Sequence, residues 1–251
     1  MIERREDVKL AFFGIHPCDA NAIRVMDLLL LEGPADPYYR HRRDNCLIAV
    51  LDCVRGDKYC FCEGLGARLP WKGSCDLWIV PQRSYFAIAP TSDKGRSVLE
   101  RLSLERTDPP RLAHGISRNE PLERLVDILK DSYEAVQWKG LSSRCLLCGG
   151  CTAVCPTCIC FDILDEISSN PFEGDRIRVW DSCIFRSFTV VAGGHVMRKE
   201  PVDRFKHRFY HKLVFIKERY GVYGCTGCGR CAQQCPSHID PLEVVREVVC
   251  A

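Results

Sequence analysis

The stretch CLLCGGCTAVCP at residues 145–156 returns as CTGCGRCAQQCP at 225–236. Each is a CxxCxxCxxxCP run, in which three thiolates hold one cubane [4Fe-4S] cluster and the fourth goes to a neighbouring cluster. The repeat therefore specifies two clusters. The proline and the chain after it carry the fourth cysteine away from its own run, so the expected ligand sets are crossed. Cys145, Cys148, Cys151 and Cys235 hold the first cluster, and Cys225, Cys228, Cys231 and Cys155 the second. Zinc modules instead pair a CxxC with a second CxxC or with two histidines at a spacing of about 12–20 residues.

Composition supports metal over disulfide. There are 18 cysteines in 251 residues, below the density of about 8–10% that marks a short disulfide scaffold. Lys and Arg total 35 against 33 Asp and Glu, so net charge gives no argument for nucleic acid or an anionic membrane. No secretory leader pattern and no apolar run of about 18 residues is visible. The expectation is a soluble, cytoplasmic protein whose thiols stay reduced and open to metals.

Leu122, Leu125, Val126, Leu129, Tyr133 and Val136 recur at helical spacing behind a cap at Asn119 and Pro121, and this helix is expected to feed the first cysteine run. Asp240 and Pro241 open another, with Leu242, Val245 and Val249 on one face. A helix is expected after each CP. The polar, proline-containing stretch 106–119 is the best boundary. Upstream of it, 9–15 and 46–54 are buried-strand candidates, joined by a helix opening near Pro17 with Ile23, Met26 and Leu30 in phase. That order suggests a small parallel unit. Two short strands at 76–80 and 84–89 and a helix through Val98, Leu99 and Leu102 complete it. The expected fold class is α+β. A small α/β domain over 1–110 precedes a mainly α-helical ferredoxin-type domain over 119–251, with an insertion between its cluster motifs.

In the N-terminal half Cys18 lies at the turn into a helix after one strand and Cys53 near the end of a second, which brings both to one sheet edge. With Cys60 and Cys62 of a CFC loop they are candidates for a third cluster, with plain core packing as the alternative. His16 adjoins Cys18. Cys46 and Cys75 are less suited. Cys158, Cys160 and Cys183 have two readings, a further ligand set or reactive thiol, and packing as small hydrophobes. Segment 198–219 holds eight Lys or Arg and three acids among aromatics. Single-stranded nucleic acid, a solvated helix face, and basic stems that flank the clusters and raise their potentials are the three readings. There is no GxGxxG after a strand, no GxxxxGK[ST] and no GxSxG, so no catalytic residues are assigned.

Taken with FFGIHPCDANAI (12–23), DPYYRHRRDN (36–45), CPTCICFD (155–162), WDSC (180–183) and AGGH (192–195), the chain resembles the iron–sulfur β subunit of cytosolic sulfhydrogenases and the similar iron–sulfur component of anaerobic sulfite reductase. The resemblance runs nearly end to end. Family members carry a longer region before the FFG-like stretch, whose role here is expected to be absent or supplied by another subunit. The resemblance implies an electron-transfer subunit with no substrate site of its own. A flavin-containing subunit would handle NAD(P), and a catalytic partner would carry nickel–iron or sirohaem. Two other classes are a flavin-binding iron–sulfur oxidoreductase acting alone, and a zinc-binding structural or nucleic-acid module.

Overall fold

The apolar runs near the N-terminus form β1 (Leu10–Ile15) and β2 (Cys46–Leu51), which pair in parallel from Leu10 against Cys46 to Ile15 against Val50. The computed structural model describes residues 8–113, 117–118, 122–170 and 172–250. It divides into two units, Tyr220–Gly229 grouping with the residues up to Glu123, and Arg230 onward with 124–219. The register slips between Phe13 and Ile15, where Gly14 takes a φ of 77°. A β-bulge of this kind needs a residue that enters the left-handed region without strain.

In the first unit β2 pairs in parallel with β3 (Leu77–Pro81), which pairs antiparallel with β4 (Phe86–Pro90), giving a sheet of order β1-β2-β3-β4. Helix α1 (Pro17–Leu31) is the crossover between β1 and β2. Its Ala20 and Ile23 pack with Ile48 and Val50 on one side of the sheet. On the other side Ala49, Leu77 and Ile79 meet Val98 and Leu99, the latter two on α3 (Asp93–Leu99). β2 is thus buried on both faces, which accounts for its unbroken apolar sequence. Helix α3 lies close: a Cβ on Gly95 would sit 1.9 Å from the Asp76 carbonyl oxygen. Ser92 caps α3 and its hydroxyl also donates to Asp76 at 2.6 Å.

Helix α2 (Pro37–Asp44) has no counterpart in the sequence reading. It carries no apolar stripe. Asp36 caps it, and its Tyr39 hydroxyl and Arg43 guanidinium donate to buried Asp27 of α1 at 2.8 and 3.0 Å. Helix α3 stops at Leu99, short of Leu102.

In the second unit the expected single helix from 122 is two, α4 (Leu122–Asp131) and α5 (Gln137–Ser143). The Trp138 indole N–H donates to Ser132 O, tying the break between them. The expected cap at Asn119 and Pro121 lies outside the described residues. A short helix α6 (Gly150–Ala153) belongs to the first cysteine run. The helix expected after the first CP is replaced by a strand. β5 (Phe161–Ile167) pairs antiparallel with β6 (Gly174–Trp180), from Phe161 against Trp180 to Ile167 against Gly174. Phe161, Ile163, Asp165 and Ile167 share one face of β5 and Asp162, Leu164 and Glu166 the other, and the turn segment closes where Ser168 N–H meets Glu173 O, so a cross-strand partner outweighs helix formation. The half expected to be mainly helical therefore also holds a β-hairpin.

Helix α7 (Pro201–Tyr210) runs through a five-residue π-helical turn (His211–Phe215) into α8 (Ile216–Tyr220). Phe205, Phe209 and Tyr210 surround Trp138. After α9 (Arg230–Gln233), α10 (Pro241–Val249) is capped by Asp240, which accepts from Leu242 N–H, and buries Leu242, Val244, Val245 and Val248. Among the described residues no helix is long and apolar enough to cross a membrane.

Candidate iron–sulfur centres

The two cysteine runs fold alike because their spacing demands the same backbone. Leu147 and Gly227, each two residues after a first cysteine, have φ of 53° and 66°, and Gly149 and Gly229 have 75° and 74°. These turns aim backbone N–H groups at sulfur: Leu147 donates to Cys145 Sγ and Gly227 to Cys225 Sγ, both at 3.4 Å. Short helices α6 and α9 carry the third cysteine of each run. Cys155 N–H then reaches Thr152 O, and Cys235 N–H reaches Ala232 O. Beyond each proline, Cys158 N–H closes on Cys155 O and His238 N–H on Cys235 O, at 3.1 and 3.0 Å. A loop that offers N–H donors to anionic sulfur suits thiolate ligands.

Within the second unit Cys145, Cys148, Cys151, Cys231 and Cys235 line one cavity of about 40 Å³, with Ile184, Phe205 and Phe209 among its apolar walls. Burial raises the Cys145 and Cys151 thiols above their ordinary range, so a soft metal must displace their protons on binding. Cys155 is the opposite case. A hydrogen bond from Cys158, with Lys212 and Arg208 behind it, holds Cys155 well below the usual thiol range, while Cys158 is pushed up. Thiolate donors, apolar walls and directed N–H groups together fit an iron–sulfur cluster. Among the described residues no three His, Cys, Asp or Glu side chains converge as ligands of a single ion do. A cubane takes one thiolate at each of its four irons.

Cys225 and Cys228 lie in the first unit, against the CFC loop. Phe61 N–H donates to Gly227 O at 2.8 Å, and the Cys60 thiol to Cys228 O at 3.7 Å. No sequence signal linked these two loops.

Of the N-terminal set, Cys53 Sγ and His16 Nδ1 hydrogen-bond at 3.3 Å. Burial pushes the Cys53 thiol up to about 11, with nearby Cys62 and Cys60 adding to the rise and Arg68 opposing it. Arg68 grips Asp52 with two nitrogens at 2.8 and 3.0 Å and donates to Cys53 O, and its buried Nε has no acceptor among the described residues. Cys18 sits in the first turn of α1.

The remaining thiols are a pair. Cys183 donates to Cys160 and lowers it to about 6, while Cys183 itself is buried and pushed up. The solvated-face reading of 198–219 fails for four cations, since Arg204, Lys206, Arg208 and Lys212 are all buried. Lys206 Nζ donates to Tyr133 O and lies 3.7 Å from that ring's centre. Lys212 Nζ donates to both Thr157 O and Oγ1 at 2.8 Å.

Residues 144–239 match a family described as a 4Fe-4S dicluster domain. The chain is 35% identical over 254 positions to "Sulfhydrogenase 2 subunit beta" of Pyrococcus furiosus, spanning 96% of this chain and 75% of that protein. It is 24% identical over 105 residues to the fumarate reductase iron-sulfur subunit of Haemophilus influenzae, spanning 42% and 32% respectively. No solved structure matches the chain.

Proposed function

The chain belongs to the sulfhydrogenase β-subunit family and is an iron–sulfur electron-transfer protein with two [4Fe-4S] clusters, and from that premise we propose that it relays electrons between two partner subunits. One partner handles NAD(P) through flavin, and the other is a hydrogenase-type catalytic subunit. A sirohaem sulfite reductase is the second candidate for that terminal partner. The reading rests on one observation, five cysteines of the two runs gathered round a single cavity walled by apolar side chains. Low polarity and N–H donors to sulfur set a cluster's potential, the quantity a relay must tune.

The proposed ligand sets are crossed, with Cys235 completing the Cys145, Cys148 and Cys151 site and Cys155 completing that of Cys225, Cys228 and Cys231. The proposed division of the chain is an α/β domain over 1–110 and a dicluster domain over 119–251. A third cluster on Cys18, Cys53, Cys60 and Cys62 is also proposed, supported by the nearness of Cys60 and Cys62 to Cys53 and by the unmet Nε of Arg68.

Anaerobic affinity isolation of the chain from cell extract tests the relay. A flavoprotein and a nickel–iron protein are expected to co-isolate, with no flavin on the chain once separated. Flavin retained by the separated chain would favour an oxidoreductase acting alone.

A further inference from the structure

Four buried cations lie on α7 and the turn after it, and three of them spend their donors on the backbone around them. Arg204 donates to Ile184 O, Arg198 O and Lys199 O. Lys206 donates to Tyr133 O, and Lys212 to Thr157. Arg208 differs. One terminal nitrogen donates to Cys151 O at 3.3 Å, but its Nε is buried without an acceptor among the described residues. The side chain lines the cavity that Cys145, Cys148, Cys151 and Cys235 share.

A guanidinium N–H left buried and unpaired is costly, because it has given up water for nothing. It ceases to be so when anionic sulfur fills the cavity. The neighbours of Arg208 come from both proposed ligand sets, Cys151 through its carbonyl and Cys231 across the shared cavity, all within the second unit. Its planar fork has enough donors to face more than one acceptor.

We propose that Arg208 is a positioning residue shared by the two clusters, its Nε–H donating to sulfur of the cluster in the cavity and its charge raising both reduction potentials together. This rests on the dicluster reading. A fixed cation beside a cluster favours the state with one more electron, and hydrogen bonds to sulfur act in the same sense. Because both clusters lie within reach of one charge, a change there moves them as a pair and leaves the potential difference between them nearly intact. In a relay, that difference directs the electron.

The test uses the full chain purified anaerobically, with iron and acid-labile sulfide measured first so that loss of the clusters is told apart from loss of their tuning. In an EPR-monitored redox titration, Arg208→Gln with full iron should cut the ratio of reduced to oxidised cluster at fixed solution potential about tenfold for both clusters, equal to about 59 mV for one electron. Arg208→Lys should restore much of the shift, and Lys206→Gln should leave both potentials in place. Unchanged potentials in Arg208→Gln, or a shift in one cluster alone, would overturn the shared role. The unmutated protein gives a second readout that does not depend on the variants folding. Labelled with ¹⁵N-arginine and reduced, it should show nitrogen coupling to a cluster by pulsed EPR, and absence of that coupling overturns the Nε contact.

Discussion

Gly227 stands so close to Cys62 that a Cβ there would lie 2.6 Å from the Cys62 backbone nitrogen. Gly229 is similarly placed, 2.6 Å from the carbonyl carbon of Tyr59. The loop carrying Cys225 and Cys228 is thus braced by the CFC loop, and both glycines are needed for close approach as well as for their positive φ.

Gly227→Ala should therefore disturb the second cysteine run and spare the first. The strained backbone alone costs about 1–3 kcal/mol, and the clash adds to it. Iron per chain should fall by about four, one cubane, with the melting temperature lowered. Full iron and an unchanged melting temperature would show that the loop can shift.

Much of this was legible in the sequence. The short apolar runs placed β1 to β4, and the cysteine spacing with its prolines placed the two runs, because both signals are local. What failed depended on distant partners. Helix α2 is held by Tyr39 and Arg43 on Asp27 rather than by an apolar stripe, and β5 forms because Gly174–Trp180 returns to pair with it. The burial of Arg204, Lys206, Arg208 and Lys212 was hidden for the same reason. A lysine that ends on a buried carbonyl has the same sequence signature as one that ends in water.

Lys206→Met tests that burial. It leaves Tyr133 O unmet and removes the cation from the ring, so it should destabilise the fold by about 1–3 kcal/mol, read as a lower denaturant midpoint. A solvated-face residue would change the midpoint by less than about 0.5 kcal/mol.

Cys160 should alkylate with iodoacetamide at a rate that rises through about pH 6, the value to which Cys183's hydrogen bond lowers it. Below that pH the thiol is protonated and the rate falls; above it the thiolate persists. Peptide mapping at a series of pH values reads the midpoint. Cys183→Ala should move it toward the ordinary thiol value of about 8.5, and a native midpoint already there would exclude the pairing.

For the proposed N-terminal centre, the Cys60→Ser, Cys62→Ser double variant should lose about four irons relative to the unmutated chain, one cubane's worth. Iron unchanged in a soluble double variant would return these cysteines to bracing the Cys225 loop.

The most direct test is spectroscopic grouping of single cysteine variants under anaerobic reductive titration. Cys155→Ser should alter the same EPR signal that Cys228→Ser alters, and Cys235→Ser the signal that Cys148→Ser alters, in protein that stays soluble. Contradiction would be Cys155→Ser grouping with Cys148→Ser, or an unmutated chain that is colourless and free of iron and acid-labile sulfide.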